Sequence, residues 1–158
     1  PLNLYKAACA KSGHQPDIVY IRPVYLEENE SVIRREVEPY LLNFLAFNAS
    51  PVESLQSEEK KAELRAKGYG FYASGALESL TRLTYEEIVE QEIGFIGTPK
   101  KVIAQIENLQ SRGGIGELAI VANFGGIEHW KSIKTQQLFA QQVMPAFRGA
   151  GQTAMAGR

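Results

Sequence analysis

Apolar positions recur along this chain with a helical period in some stretches and as short continuous runs in others, and the switches between the two outline its elements. Residues 2–12 read as a small-residue helix that Gly13 ends. Pro16 and Asp17 lead into residues 18–26, an apolar and aromatic run of strand length interrupted by Arg22 and Pro23. Because proline has no amide to give to a ladder, this strand is expected at a sheet edge or beside a bulge. Residues 28–47 carry the longest helical pattern, with Val32, Val37, Leu41, Leu42, Leu45 and Phe47 apolar. Pro39 is expected to kink or divide it, and the half after Pro39 to be buried.

Across residues 48–84 the periodicity weakens over a span far longer than the roughly 2 to 6 residues of an ordinary α/β loop, so it reads as a functional insertion. Residues 57–67 suit a charged, solvated helix, and Gly68-Tyr69-Gly70-Phe71-Tyr72-Ala73-Ser74-Gly75 interleaves aromatic residues with glycine. Thr84 and Glu87 stand at capping-box spacing before a short helix through Ile88 and Val89. A strand candidate follows at residues 93–96. Thr98 can then cap a helix with Pro99 in its first position, and Val102, Ile103, Ile106 and Leu109 repeat at helical spacing until Gly113 and Gly114. Residues 117–123 contain the continuous run Leu118, Ala119, Ile120 and Val121, as expected of a strand covered on both faces. Gly125 and Gly126 precede the last helix, and residues 149–158 are expected to form a flexible tail.

The composition suits one globular core: 158 residues, 44% hydrophobic, 22% charged, with a formal net charge of -1. No apolar run approaches the roughly 20 residues of a membrane span, and the first residues lack the pattern of a signal peptide, so no membrane partner and a cytoplasmic location are expected. The single cysteine, Cys9, reads as a minor hydrophobe. Basic residues are dispersed, which argues against nucleic acid as a partner. His14 and His129 are far apart and no carboxylates cluster at ligand spacing, so no metal site is expected. Phosphate-loop, dinucleotide and Gly-x-Ser-x-Gly signatures are lacking.

Strands separated by helices imply an α/β fold with a parallel sheet, and such folds bind ligands at the carboxyl edge of the strands. The strongest candidate site is therefore Asn123, Phe124, Gly125 and Gly126. Its glycines would let a ligand approach the backbone, and the next helix offers unpaired amides. The plainer alternative is that the glycines only make the turn. Tyr69, Phe71 and Tyr72 could wall an apolar substrate pocket or simply pack the insertion. Glu128 and His129 fall in the first turn of the last helix, near the pocket mouth, where the helix dipole disfavours a protonated imidazole.

The ordered set of Gly97-Thr98-Pro99, a glycine-bounded turn, a strand ending in Asn123-Phe124-Gly125-Gly126, and a helix through Gln137-Leu138-Phe139-Ala140-Gln141-Gln142-Val143-Met144-Pro145-Ala146-Phe147 resembles the carboxyl-terminal part of the bacterial luciferase-like flavin-dependent monooxygenases. The resemblance extends back through the Tyr5 helix and Val24-Tyr25-Leu26. It implies a partial (β/α)8 TIM barrel, the last three β/α units over residues 1–148 with the insertion at 48–84, since a closed barrel typically needs about 250 residues. It further implies reduced FMN, or a deazaflavin in some relatives, acting with O2 on a small organic substrate in the complete enzyme. In that family the phosphate grip and the usual catalytic histidine come from earlier units. No catalytic residue is therefore assigned, and this chain alone is expected to retain no flavin and to be inactive. The alternative is a noncatalytic α/β association module. In either case an open sheet calls for a homodimer or a complementary barrel half, with Val19, Ile21, Tyr25 and the apolar half of the helix after Pro39 at the interface.

Overall fold

The computed structural model describes residues 2–53, 57–113 and 116–148; the tail expected at 149–158 and the Gly114 end of the helix stop lie outside the described residues. In chain order the elements are α1 (Leu2–Lys11), β1 (Val19–Leu26), α2 (Glu30–Glu53), α3 (Glu58–Ala66), α4 (Ala76–Leu80), α5 (Tyr85–Glu90), β2 (Phe95–Gly97), α6 (Pro99–Gly113), β3 (Glu117–Val121), α7 (His129–Leu138), a π-helical turn (Phe139–Val143) and α8 (Met144–Phe147). Among the described residues no helix is long and apolar enough to cross a membrane.

Among the described residues the three strands are parallel, in the order β2-β1-β3. The first strand is thus central, and the edge position expected from Pro23 is not observed. Its register explains why the proline is tolerated. Residues Val19 to Pro23 pair with Glu117 to Val121 of β3, whereas Val24 to Leu26 pair with Phe95 to Gly97 of β2 on the other side. Pro23 therefore sits where the ladder changes partner, and its missing amide interrupts neither pairing in mid-run. Its ring is buried near Gly94, where an added Cβ would lie 3.4 Å from Pro23 Cγ.

Alternation along β1 sends successive side chains to opposite faces of the sheet. Val24 and Leu26, with Phe95 of β2, meet Val102, Ile106 and Leu109 of α6 and Leu138 and Val143 beyond β3. Tyr25 and Ile96 point the other way, into a cluster with Ile33, Val37, Leu41 and Leu45 of α2, Ile88 of α5, and Phe124 and Ile127. That second face is covered only at its carboxyl end. Toward the amino end Val19 and Ile21 stand 50% and 62% exposed. Tyr25, expected beside them at an interface, is instead buried by this chain's own α2.

Helix α2 runs unbroken through Pro39, so the division expected there is not observed. Pro39 and Arg35 both lie on the exposed side, so the Arg35 carbonyl left without a helical donor can turn to water. The half after Pro39 is buried along one stripe only: Leu41 and Leu45 are covered, while Leu42 and Phe47 are exposed. Proline acts differently at Pro145. There the Met144 amide reaches back to the Phe139 carbonyl, a π-type bond that widens the helix one residue before the proline ring would press on the preceding turn.

Local signals elsewhere are met. The Thr84 and Glu87 capping box is formed in both directions, Thr98 Oγ1 accepts from the Lys101 amide at 3.4 Å, and α3 buries none of its residues. Below the sheet, Glu92 adopts a left-handed conformation, φ 55°. It is held from three sides: its carbonyl accepts from Arg22 Nε at 2.9 Å, and its buried carboxylate accepts from Asn108 at 2.6 Å and pairs with Arg112.

One contact fixes α2 against the end of the sheet. Gly125 has φ 59°, and a Cβ placed on it would overlap the Tyr40 carbonyl oxygen outright. Gly126 has φ 84° but open space where its Cβ would be. Gly125→Ala should therefore cost about 3 kcal/mol or more through forced displacement of backbone, while Gly126→Ala should cost only about 1 kcal/mol of conformational strain. Urea unfolding of the two variants measures the difference, and equal losses would refute the contact. Gln105 Oε1 is buried without a hydrogen-bond partner among the described residues. Gln105→Met should raise stability by about 1 kcal/mol, seen as a higher thermal midpoint.

Candidate functional site

The carboxyl ends of the strands bring the turn after β3 under α2 and onto the first residues of α7. Asn123 is exposed at the strand end, Phe124 is buried, Gly126 is open, and Ile127 returns to the core as its N–H donates to the Phe124 carbonyl at 3.0 Å. Phe124 meets Phe44 of α2 edge to face, with centroids 5.8 Å apart. Asn43 Nδ2 donates to the Gly125 carbonyl at 2.8 Å. Of the two expected glycine roles, Gly125 takes the structural one, close packing against α2. Gly126 leaves the room that a ligand lying against backbone requires.

Beside the outer edge of β3 an open cleft of about 350 Å³ is lined by Ile120, Val121, Ala122, Asn123 and Gln136. Its volume falls within the range of small-molecule sites. Asn123 and Gln136 supply its polar groups, and the backbone of an edge strand supplies unpaired amides and carbonyls. A second hollow, about 40 Å³ between α6 and the amino end of β3, has room for no more than a few waters and lies at the wrong end of the sheet for catalysis.

A polar cluster that the sequence did not disclose surrounds the turn. Glu27, buried just past β1, accepts from the Glu28 amide at 2.8 Å and from Lys134 Nζ at 2.5 Å. Burial pushes its carboxyl up, but the bonds from Lys134 and the two following amides outweigh that and hold it below the ordinary range. Lys131 is buried along its stem, pairs with Glu128 at 3.2 Å, and lies over the Tyr40 and Trp130 rings. Bonds from its own backbone amide and from Tyr40 lower the Glu128 carboxyl, and Glu128 in turn raises the Tyr40 hydroxyl. Tyr25 donates to Glu36 at 2.6 Å, and burial together with that bond raises its hydroxyl strongly. The Leu26 amide, which faces away from β2, is accepted by Thr135 Oγ1 at 3.2 Å.

His129 opens α7 at the surface, and the neighbouring carboxylate that makes polar contacts across the turn is Glu128. Tyr69, Phe71 and Tyr72 are exposed and pack on one another, with centroids 6.4 and 5.6 Å apart. Successive turn bonds from Tyr72, Ala73 and Ser74 hold them, and among the described residues no ring contact joins them to Asn123–Gly126. The described residues contain no group of three or more His, Cys, Asp and Glu able to hold a metal ion.

Whether this edge suits a flavin can be judged from its chemistry. The open backbone at Gly126 and the exposed Asn123 carboxamide suit the polar rim of a flat ring. Lys131, however, is already engaged by Glu128 and by the Glu36 carbonyl at 3.5 Å, so it is not offered to a phosphate. The turn fits one wall of such a site.

The sequence pattern of the luciferase-like monooxygenases matches residues 2–115. Solved structures share the fold, among them two monooxygenases. Monooxygenase RslO1 from Streptomyces bottropensis is 22% identical with a TM-score of 0.59, and 92% of this chain covers 36% of that one. The oxygenating constituent of 3,6-diketocamphane monooxygenase from the CAM plasmid of Pseudomonas putida, a type II Baeyer-Villiger monooxygenase solved with FMN, is 19% identical with a TM-score of 0.57, and 91% of this chain covers 38% of it. No curated protein matches the chain. The chain thus spans little more than a third of these structures, and it belongs to the luciferase-like monooxygenase family.

Proposed function

We propose that this chain is the carboxyl-terminal portion of a flavin-dependent monooxygenase that oxygenates a small organic substrate with reduced FMN and O2, residues 48–84 being the insertion that shapes its substrate side. The observation that carries the reading is the family match combined with a sheet face bare at Val19 and Ile21, where the side chains of further barrel strands would lie. Asn123, Phe124, Gly125 and Gly126 form one wall of the flavin site, with Gly126 giving backbone access. Tyr69, Phe71, Tyr72 and His129 stand toward the substrate. The flavin supplies the redox chemistry when bound. These residues orient it, shield it from water and leave the phosphate grip and the catalytic residue to barrel segments outside this chain. A deazaflavin in place of FMN, a cytoplasmic setting, and assembly as a homodimer or with a complementary barrel half are compatible with the same site.

Gel filtration with FMN tests this. The 158-residue chain is expected to emerge without visible flavin absorbance, and the complete barrel to carry it. Within the complete barrel, Gly126→Val should weaken flavin retention more than it lowers the thermal midpoint, because the new side chain enters the ligand's space. Stoichiometric flavin on the 158-residue chain would show that the described residues hold a whole site. Normal flavin binding by the valine variant would reduce Gly126 to a turn residue.

A further inference from the structure

We propose that Asn43 is a positioning residue for the candidate site, and that the face of α2 carrying Glu36, Tyr40, Asn43 and Phe44 acts as the clamp that fixes the turn after β3; the functional part of the proposal rests on reading that turn as a flavin wall. These four residues recur at helical spacing and so share one side of α2. Three of them meet the turn and the fourth, Glu36, meets α7 just beyond it. Phe44 meets Phe124 edge to face, Asn43 Nδ2 donates to the Gly125 carbonyl at 2.8 Å, the Tyr40 carbonyl stands where a Gly125 Cβ would be, and the Glu36 carbonyl lies 3.5 Å from Lys131 Nζ. The Tyr40 hydroxyl is a polar neighbour of Glu128 at the start of α7, which raises it.

Such a clamp is needed because two consecutive glycines have no side chains with which to anchor themselves and the largest backbone freedom to lose. Asn43 supplies the anchor from outside. Its side chain is exposed, with water available to it, yet it bridges 82 residues of sequence to a glycine carbonyl. Fixing that carbonyl fixes the direction of the Gly126 backbone, the surface offered to the ligand.

Hydrogen exchange read by mass spectrometry on the complete polypeptide tests the clamp. In Asn43→Ala and Asn43→Asp, a peptide spanning residues 124–128 should exchange about tenfold faster at neutral pH, with the strand peptides unchanged. The aspartate variant carries its own control. Its carboxylate has no donor at neutral pH, but below about pH 4 the protonated group can donate to the Gly125 carbonyl. Its protection, measured against wild type at the same pH, should then return, whereas that of the alanine variant should not. Exchange within about twofold of wild type in Asn43→Ala, or no recovery of Asn43→Asp in acid, overturns the clamp. In the same protein, flavin affinity should fall in step with the loss of protection. If protection falls while flavin affinity holds, the clamp stands and the flavin-wall reading fails.

Discussion

The carboxyl end of this fold depends on backbone meeting backbone where α2 crosses the Gly125 turn. A helix and a turn can approach that closely only if one of them lacks a Cβ, and Gly125 supplies the lack under the Tyr40 carbonyl. Once this contact is made, Phe124 is carried onto Phe44, Ile127 into the core, and the first turn of α7 beside Tyr40 and Glu36. The Lys134 and Thr135 contacts then close the other side by engaging Glu27 and the last amide of β1. A change at Gly125 thus acts on helix, sheet and site together.

The two faces of the sheet are unequal, and the inequality bears on function. One face is sealed by α6 and the segment from Leu138 to Val143, which bury Val24, Leu26 and Phe95 completely or nearly so. The opposite face is sealed only where α2 and α5 lie over Tyr25 and Ile96, and it is bare at Val19 and Ile21. Burying a side chain of that size is worth about 1.5 to 3 kcal/mol, so leaving two exposed on a β-surface is costly. The bare end is the amino end of the strands, while the covered end is the carboxyl edge where parallel folds place ligands. Polar and charged residues with defined partners gather at both ends: Glu92 with Arg22, Asn108 and Arg112 at the first, and Glu27, Glu128, Lys131 and Lys134 at the second.

Much of this architecture was legible in the chain because the signals were local. The Thr84 capping box, the Thr98-Pro99 helix start and the solvated helix α3 each depend on residues within a few positions of one another and appear where the spacing placed them, whereas the run of β3 forms its strand but lies at the sheet edge, half-buried and not covered on both faces as expected. What failed was long-range. Pro23 suggested an edge, but its cost depends on which neighbour pairs with which half of β1, and that is set by residues about 70 to 100 positions later. Pro39 suggested a break, but exposure of Arg35 decides whether the freed carbonyl is penalised. Tyr25 shares a strand face with Val19 and Ile21, yet α2 covers it and leaves the other two bare.

The glycine pair shows the same division inside the site. Sequence placed Gly125 and Gly126 at the carboxyl edge without telling a ligand role from a turn role for either, and both do adopt left-handed backbone there. Space separates them. Gly125 is a glycine because a helix backbone occupies its side-chain volume, so its identity would be required even if no ligand ever bound. Gly126 is under no such constraint, since nothing lies near its missing Cβ and backbone conformation alone explains only a preference of about 1 kcal/mol. The partners that make the distinction, Tyr40 and Asn43, sit more than 80 positions earlier on a helix whose polar residues carry no motif. Their role could be recognised only from the helical face they share with Glu36 and Phe44, once the turn was seen lying across it.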